Sequence, residues 1–368
     1  MRIAMDYQIF CLQAYGGISR YFVRLAEQFS KSSHDVKIFS PLHCNEYLQG
    51  VDEGLVEGRR IAKSASKLMR PTILYNNFVA NRKIEKWHPD VVHETYYSVF
   101  DKRGRNIPAV VTVYDMVHEL FPNEFSKFGN ISMRKRKAVE RADHVICISE
   151  STRQDLIRLF AVDPGKISVV HLGFDNFVTG SPSTTILSPA RRPYLLFVGN
   201  RGGYKNFSGF LRAFAASSRL KDEFDIIAFG GGGFSQTEKD MISGLAIHAQ
   251  QVKQMGGSDV TLGELYRNAS VFVYPSLYEG FGLPPLEALA NGCPVALSNT
   301  SSMPEVVGEA GAYFDPASVE NISTVIEELA FSPSLAQTLT GIGQERLKRF
   351  SWSNCADDTL AVYSKLVR

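Results

Sequence analysis

The sequence lacks the features that would mark a secreted, zinc-bound or membrane-spanning protein. Its five cysteines are odd in number, widely scattered and never spaced as Cys-x-x-Cys, which argues against a disulfide framework and a zinc site. No signal peptide precedes the first strand pattern, and no apolar run approaches the roughly 20 residues of a transmembrane helix. We therefore expect a cytoplasmic protein whose contact with a membrane is peripheral and confined to its inner face.

An excess of one charge and closely spaced aspartates are also missing. The 40 Lys and Arg residues nearly balance the 38 Asp and Glu residues and leave a net charge of +2, so we expect no nucleic acid or other strongly polyanionic partner. The basic run at 133–137 has no interleaved aromatic residues and predicts a solvated helix face. No two aspartates lie two positions apart, so an Asp-x-Asp metal site is not expected.

The chain has 368 residues, which is long enough for two domains with separate cores. Strand and helix patterns alternate through residues 1–175 and again through 193–350, and the segment 176–192 has the Ser, Thr and Pro content of a linker. This alternation predicts two α/β domains. Two such domains joined by a linker leave a cleft between them, where ligands commonly bind.

The stretch 271–294 predicts a strand, a glycine loop and a helix, in that order. Unpaired amides are expected at the helix start, at Phe281, Gly282 and Leu283, and the helix dipole favours an anion there. Two carboxylates, Glu279 and Glu287, bracket this anion site and suit hydroxyl groups, so a nucleotide sugar fits the stretch. The alternative is that Glu287 caps or salt-bridges a surface helix and the glycines only form a turn.

The segment 276–295 contains a Glu-x7-Glu pattern, and 301–308 reads Ser-Ser-Met-Pro-Glu-Val-Val-Gly. Together they resemble the donor-site signature of the retaining glycosyltransferases of family 4. The resemblance implies the GT-B fold, with two Rossmann-like, doubly wound domains facing an interdomain cleft. It assigns acceptor binding to residues 1–175, completed by the last helix at 351–368, and nucleotide-sugar binding to 193–350.

Three glycine or basic loops acquire donor-binding roles from this resemblance. Gly16 and Gly17 would meet the donor phosphates, and Gly230 would lie beside the nucleotide. Arg201 and Lys205 would stabilise the leaving diphosphate, since two fixed cations suit the charge that develops on it. Arg201 stands one position later than in the usual family arrangement, so Lys205 is the closer match, and solvent-exposed loop cations are the alternative interpretation.

The remaining site expectations concern the sugar and the acceptor. The resemblance gives the catalytic residues as Glu279, Lys205 and Arg201, with Glu279 on the donor-sugar hydroxyls and Glu287 on the ribose. On the acceptor side, the strand ending in Tyr114 and Asp115 resembles the family's strand that ends in His-Asp, but Tyr114 replaces the histidine. His118, four residues on, is a candidate to supply an imidazole.

We expect a metal-independent, cofactor-free glycosyltransferase that moves a hexose, with mannose from GDP-mannose favoured. Its acceptor would be a sugar or a lipid-linked saccharide in polysaccharide or lipopolysaccharide synthesis. The alternatives are a UDP-sugar-dependent enzyme of the same fold, a phosphorylase-like enzyme or epimerase, a glycoside hydrolase using the two glutamates, and a non-catalytic nucleotide-binding protein. The basic amphipathic stretch 59–86 suits either an anionic membrane surface or solvent.

Overall fold

A computed structural model describes residues 1–61, 66–98, 107–125, 130–175 and 192–367. The chain divides into two compact units. The first contains Met1–Gly173 together with Ser351–Arg368, and the second contains Phe174–Phe350. The expected linker, 176–192, lies outside the described residues except for Arg192.

The first unit is built on a seven-stranded parallel sheet in the order β3-β2-β1-β4-β5-β6-β7. The strands are β1 Arg2–Met5, β2 Asp35–His43, β3 Val56–Arg60, β4 Val91–Glu94, β5 Ala109–Val113, β6 His144–Cys147 and β7 Ile167–Val169. The central strands are buried along nearly their whole length, because helices cover both faces of such a sheet and require continuous apolar runs. The strand order reverses between β1 and β4, and ligands of doubly wound sheets collect at this switch point.

The helices of the first unit follow the strands in chain order, apart from one helix that returns from the far end of the chain. They are α1 Gln8–Leu12, α2 Gly17–Lys31, α3 Ser66–Trp87, α4 Val117–Leu120, α5 Pro122–Phe125, α6 Ile131–Arg141, α7 Glu150–Phe160 and the C-terminal helix, α16, Trp352–Ser364. Ser351 starts α16 by accepting a hydrogen bond from the amide of Asn354. Tyr363 of this helix is fully buried against the ring of Phe29.

The second unit contains a six-stranded parallel sheet in the order β10-β9-β8-β11-β12-β13. Its strands are β8 Tyr194–Val198, β9 Asp225–Phe229, β10 Val252–Met255, β11 Val271–Tyr274, β12 Val295–Ser298 and β13 Gly311–Phe314. Its helices are α8 Phe207–Ala216, α9 Ser218–Glu223, α10 Gln236–Gly244, α11 Asp259–Asn268, α12 Leu283–Ala290, α13 Met303–Val307, α14 Val319–Ala330 and α15 Pro333–Leu347. The switch point falls between β8 and β11, the two strands that precede the predicted donor-binding loops.

Two doubly wound α/β units confirm the predicted fold class. The predicted strand at 271–274 and the following helix are both present, and every residue of β11 is buried. Among the described residues we find no helix whose length and hydropathy would let it span a bilayer.

Candidate active site

The start of α12 has the geometry predicted for an anion site. Gly282 occupies the N-cap position with φ +98°, a backbone conformation that favours glycine, and a Cβ on it would lie 2.4 Å from the Cε atom of Met303 and displace it. Within the described residues the amides of Gly282 and Leu283 have no hydrogen-bond partner. The next two residues, Pro284 and Pro285, carry no amide hydrogen, so the donors at this helix end are concentrated on Gly282 and Leu283. Phe281 lies buried with its ring edge-on to Phe350.

The loop that precedes α12 is held in place by hydroxyl groups of the segment before α13. The Ser301 hydroxyl accepts a hydrogen bond from the Glu279 amide at 3.0 Å. Ser302 is fully buried, and its hydroxyl lies 2.9 Å from the Glu279 carbonyl oxygen and 3.0 Å from that of Phe281. Both serines belong to the motif that carried the family resemblance, but sequence reasoning did not place them in the site. The sequence signal that could have identified them is a pair of serines that follows the buried strand β12.

The structure brings two of the predicted catalytic residues, Lys205 and Glu279, into direct contact. The Lys205 Nζ atom lies 2.6 Å from Glu279 Oε1, and the two side chains are only 17% and 12% exposed. The ammonium group also lies 5.2 Å from the centre of the Tyr204 ring and 5.6 Å from that of Tyr274. Burial, together with the Glu279 carboxylate, raises the pKa of Tyr274 well above its usual value. This pair therefore combines a cation and an anion in a partly dry, aromatic-lined setting.

Glu287 lies on α12, about one helical turn beyond its start. Its Oε2 atom is 3.4 Å from the hydroxyl oxygen of Tyr266, which is fully buried on α11. Burial, and then the Glu287 carboxylate, raises the pKa of Tyr266 well above its usual value. A neutral tyrosine hydroxyl can donate to the carboxylate and orient it. The structure thus places Glu287 beside a hydrogen-bond donor on a neighbouring helix.

Arg201 is placed differently from the predicted diphosphate contact. Its side chain is 4% exposed and donates from Nε to Glu238 Oε1 at 2.6 Å. The rest of its guanidinium faces carbonyl oxygens of the glycine loop, at 2.8 Å from Gly230, 3.0 Å from Gly232 and 3.1 Å from Gly233. The donors of Arg201 are therefore directed at the protein itself.

Burial alone would raise the pKa of Glu238, but hydrogen bonds from Arg201 and Ser235 outweigh burial and hold the pKa below its usual value. Glu238 also closes a capping box with Ser235 at the start of α10. The Arg201–Glu238 pair therefore links the loop after β8 to the start of α10.

In the first unit, Gly16 and Gly17 begin α2. Gly16 has φ 171°, which is ordinary extended backbone. A Cβ on Gly16 would lie 2.3 Å from Gln13 Oε1, so the end of the Gln13 side chain would have to move. Gly17 has open space around it. Its amide, in the first turn of a 15-residue helix, has no recorded partner in the described parts of the chain.

The buried carboxylate of Asp6 occupies the switch point of the first sheet and was missed by sequence reasoning. Its Oδ1 atom accepts hydrogen bonds from the hydroxyl of Thr95 at 2.7 Å and from the amide of Thr95 at 3.1 Å. The same oxygen accepts from the Gln8 amide at 3.1 Å. Asp6 therefore fixes the ends of β1 and β4 against each other.

The three predicted acceptor-side residues lie on one short segment after β5. Tyr114 is buried with its ring edge-on to Tyr21, and among the described residues its hydroxyl has no hydrogen-bond partner. Asp115 accepts from the amide of Val117 at 3.1 Å. Burial lowers the pKa of His118, and the neighbouring Asp115 carboxylate partly opposes that shift. A neutral imidazole near a carboxylate can accept or pass on a proton.

The predicted solvated face of the basic run is wrong for Lys135. Its side chain is fully buried, with Nζ 2.8 Å from the carbonyl oxygen of Asp115 and 2.7 Å from Glu119 Oε2. The neighbouring cations Arg134, Arg136 and Lys137 are exposed, as expected. A buried cation needs partners, and Lys135 finds them in the segment that contains Asp115 and Glu119.

Comparison with known proteins decides the family. A family model described as Glycosyltransferase Family 4 matches residues 15–176, and one described as Glycosyl transferases group 1 matches residues 184–346. The chain is 31% identical over 273 residues to the O-antigen chain mannosyltransferase B of Escherichia coli, covering 70% of each protein. This chain belongs to glycosyltransferase family 4. The family 4 enzyme is thus a glycosyltransferase, and the match at 184–346 includes both glutamates of the predicted signature.

Two further similarities agree with this assignment. The family 4 enzyme is 32% identical over 251 residues to the MMP alpha-(1->4)-mannosyltransferase of Mycolicibacterium hassiacum, covering 65% of this chain and 58% of that one. The solved structure of Anabaena Alr3699/HepE in complex with UDP and glucose aligns with a TM-score of 0.72 at 17% identity over 99% of both chains. The likeness to that structure supports the GT-B fold of the enzyme.

Proposed function

We propose that this glycosyltransferase moves mannose from GDP-mannose to a saccharide or a lipid-linked saccharide acceptor in cell-surface polysaccharide or lipopolysaccharide synthesis. The observation that carries the proposal is the contact between Lys205 and Glu279 beside the free amides of Gly282 and Leu283. Cation, amides and carboxylate together match a phosphate joined to a polyol. The names of the two mannosyltransferase relatives support mannose as the sugar.

In the proposed reaction an acceptor hydroxyl attacks the anomeric carbon while the nucleoside diphosphate leaves. Lys205 and the amides at the start of α12 stabilise the charge on the leaving diphosphate. Glu279 holds hydroxyls of the donor sugar, and Glu287 holds those of the ribose. By family resemblance the reaction retains the anomeric configuration, and the leaving phosphate accepts the proton of the attacking hydroxyl.

We propose that no metal or other cofactor takes part. The sequence has no Asp-x-Asp pair, and fixed cations and backbone amides can supply the same electrostatic stabilisation. In the first unit, the amides at Gly16 and Gly17 would add hydrogen bonds to the donor phosphates. The segment of Tyr114, Asp115 and His118 would meet the acceptor.

Nucleotide sugars that bind only the folded state raise the melting temperature, so a panel tests donor choice directly. We expect GDP-mannose and GDP to stabilise the protein more than UDP-glucose, UDP-galactose and UDP. The HepE structure contains UDP and glucose, so a UDP-sugar is the alternative donor. If the UDP compounds stabilise the protein more strongly, a UDP-sugar replaces GDP-mannose as the proposed donor. No shift with any nucleotide would overturn donor binding altogether.

Turnover distinguishes a transferase from the alternatives. We expect Lys205→Met and Glu287→Gln each to lower donor turnover by roughly a hundredfold or more, whereas Lys239→Met, an exposed lysine on α10, should leave it unchanged. Undiminished turnover in both site variants would contradict the proposed mechanism. Nucleotide binding without turnover in the wild-type protein would favour a non-catalytic binding protein, and product without an acceptor would favour an epimerase.

The exposed side of α3 supports a proposed contact with an anionic membrane that presents a lipid-linked acceptor. This helix packs Ala80 and Ile84 against the sheet, while Leu74, Tyr75 and Phe78 are 61%, 51% and 58% exposed. The exposed side also carries cations, as Arg82 lies 4.4 Å from the centre of the Phe78 ring and Lys86 is exposed. An exposed apolar group flanked by cations suits a surface of anionic lipid.

Vesicle flotation tests this contact. We expect binding to vesicles containing phosphatidylglycerol, loss of binding in Phe78→Ser, and weaker binding in Arg82→Glu with Lys86→Glu. Arg212→Glu on α8 is the control for a charge reversal elsewhere, since Arg212 is also exposed. Binding that survives the changes on α3 would contradict the proposal.

A further inference from the structure

The glycine loop after β9 has a backbone that few sequences could adopt. Gly230, Gly231 and Gly232 have φ values of +91°, +68° and +70°, a region that other residues rarely enter. A Cβ on Gly231 would also lie 2.8 Å from a terminal nitrogen of Arg201 and 3.2 Å from the carbonyl oxygen of Gly199. Glycine is therefore needed both for the turn and for the close approach of Arg201.

The guanidinium group of Arg201 donates hydrogen bonds to several carbonyl oxygens of this loop. Gly230, Gly232 and Gly233 all direct carbonyl oxygens at its terminal nitrogens, within 3.1 Å. Carbonyl dipoles that converge in this way repel one another unless a cation lies among them. Because its Nε donates to Glu238, Arg201 is fixed in orientation as well as in position. A lysine has neither the planar fork nor the number of donors to do this.

The same arrangement determines where the amides of the loop point. In a trans peptide the C=O and N–H bonds point in opposite directions. The peptides whose oxygens face Arg201 therefore direct the amides of Gly231, Gly233 and Phe234 away from it. Within the described part of the chain none of these amides has a hydrogen-bond partner. A row of such amides is a donor array for an anionic or hydroxyl-rich ligand.

The loop lies next to the candidate donor site in the fold. It follows β9, and the loop with Lys205 follows β8, its neighbour in the sheet. The carboxyl ends of adjacent parallel strands share one edge of the sheet, where ligands of such sheets bind. The backbone of Arg201 belongs to the loop that contains Lys205, and its guanidinium group contacts the glycine loop. Arg201 therefore joins the two loops.

We infer that Arg201 is a positioning residue for the nucleoside diphosphate of the donor and acts through the glycine loop rather than by contacting the phosphates. It keeps the amides of Gly231, Gly233 and Phe234 directed outward before the donor arrives. This role rests on the proposed donor binding and corrects the expected contact between Arg201 and the diphosphate. Lys205 remains the side-chain cation of the site.

Hydrogen exchange on the ligand-free enzyme tests the holding of the loop independently of any donor. In the peptide that covers 229–236, the Gly230 amide donates to the Met255 carbonyl oxygen and the Ser235 amide donates to Glu238. We expect Arg201→Lys to speed exchange of these two hydrogen-bonded amides by roughly tenfold, the effect of weakening one charge-assisted hydrogen bond. Glu238→Gln should show a smaller increase in the same peptide. Arg212→Lys, an exposed arginine on α8, is the matched control and should change nothing. Unchanged exchange in Arg201→Lys overturns the inference even if donor binding is established.

Steady-state kinetics then tests the link to the donor. With GDP-mannose, we expect Arg201→Lys to raise the donor KM about tenfold and to leave kcat within about twofold of wild type. Lys205→Met should instead lower kcat and leave the exchange of 229–236 unchanged. A fall in kcat at unchanged KM for Arg201→Lys would indicate direct contact with the leaving group and overturn the inference. If the wild-type enzyme neither binds nor uses GDP-mannose or UDP-glucose, the proposed function fails, whatever the exchange result.

Discussion

At the scale of a single residue, Gly282 combines two constraints that can be separated. It has a positive φ and it packs against Met303. Gly292 has a similar φ of +74° but open space around it. The two positions therefore differ mainly in what a Cβ would meet.

We predict that Gly282→Ala lowers the free energy of unfolding by about 3 kcal/mol and Gly292→Ala by about 1 kcal/mol, since both strain the backbone but only the first adds a clash. Urea unfolding measures both. Met303→Ala in the Gly282→Ala background should recover part of the loss. Equal losses at the two glycines would show that Met303 imposes no constraint.

His93 is a buried residue whose protonation should link stability to pH. Its Nδ1 lies 2.5 Å from the Tyr363 hydroxyl and its Nε2 lies 2.8 Å from that of Thr112. Burial lowers the pKa of His93 from 6.5 to about 3. The unfolded chain therefore binds a proton between those values that the folded protein does not, and stability falls as the pH decreases through this range.

We predict that this group contributes up to roughly 1.4 kcal/mol per pH unit to the pH dependence of unfolding between about pH 6 and pH 4. His93→Gln keeps a polar side chain but removes the titration, so the slope of unfolding free energy against pH should become shallower in that window. Urea titrations at several pH values measure the slope. Parallel curves for the two proteins would contradict the assigned cause.

At the scale of one element, α6 shows why a charge pattern alone does not reveal which residue is buried. Lys135, Ala138 and Val139 face inward, whereas the other cations of the run face solvent. The Lys135 ammonium reaches Glu119 on α4, whose carboxylate is also buried. Removing one partner of a buried ion pair leaves the other charge uncompensated.

We predict that Lys135→Met destabilises the protein by about 3 kcal/mol, and that adding Glu119→Gln restores more than half of this loss. Lys137→Met, on the exposed side of the same helix, should change stability by less than about 0.5 kcal/mol. Chemical denaturation of the four proteins completes the test. Equal losses of stability in Lys135→Met and Lys137→Met would mean that the buried pair of Lys135 and Glu119 does not stabilise the protein.

Elements were predictable from the sequence where the signal is local. The strand β11 follows from a continuous apolar run, and the start of α12 follows from a glycine before two prolines. The pairing of Arg201 with Glu238 joins residues 37 positions apart, and that of His93 with Tyr363 joins residues 270 positions apart. Such pairs form only when the fold brings segments together that are distant in the sequence. A cation on a glycine loop and the family resemblance could therefore nominate Arg201 as a site residue, but neither could tell whether its donors face a ligand or the protein.

At the scale of the whole molecule, the first unit is discontinuous in sequence. It needs α16, which buries five side chains: Cys355, Ala356, Thr359, Val362 and Tyr363. A Cβ on Gly173 would lie 2.5 Å from the amide nitrogen of Trp352. The point where the chain leaves the first unit therefore lies close to the point where it returns. Without α16, the aromatic and apolar surface beneath it would be exposed to water.

We predict that residues 174–350 form a fragment with a cooperative thermal transition, whereas residues 1–173 alone do not. The loss of α16 exposes enough apolar area to remove about 5 kcal/mol, comparable to the stability of a domain. Joining 351–368 to 173 through a short flexible linker should restore a cooperative transition. Circular dichroism on the three fragments measures this, and cooperative melting of 1–173 by itself would contradict it.

The discontinuity also sets the order in which the enzyme can mature during translation. Multidomain chains commonly complete their N-terminal domain first as they leave the ribosome. Here residues 351–368 are synthesised only after the whole of the second unit, so the second unit can reach its native state while the first unit still lacks a helix. During that interval the groove that later receives α16 is an apolar surface open to chaperones. Of the two units, the one whose synthesis starts first is therefore completed last.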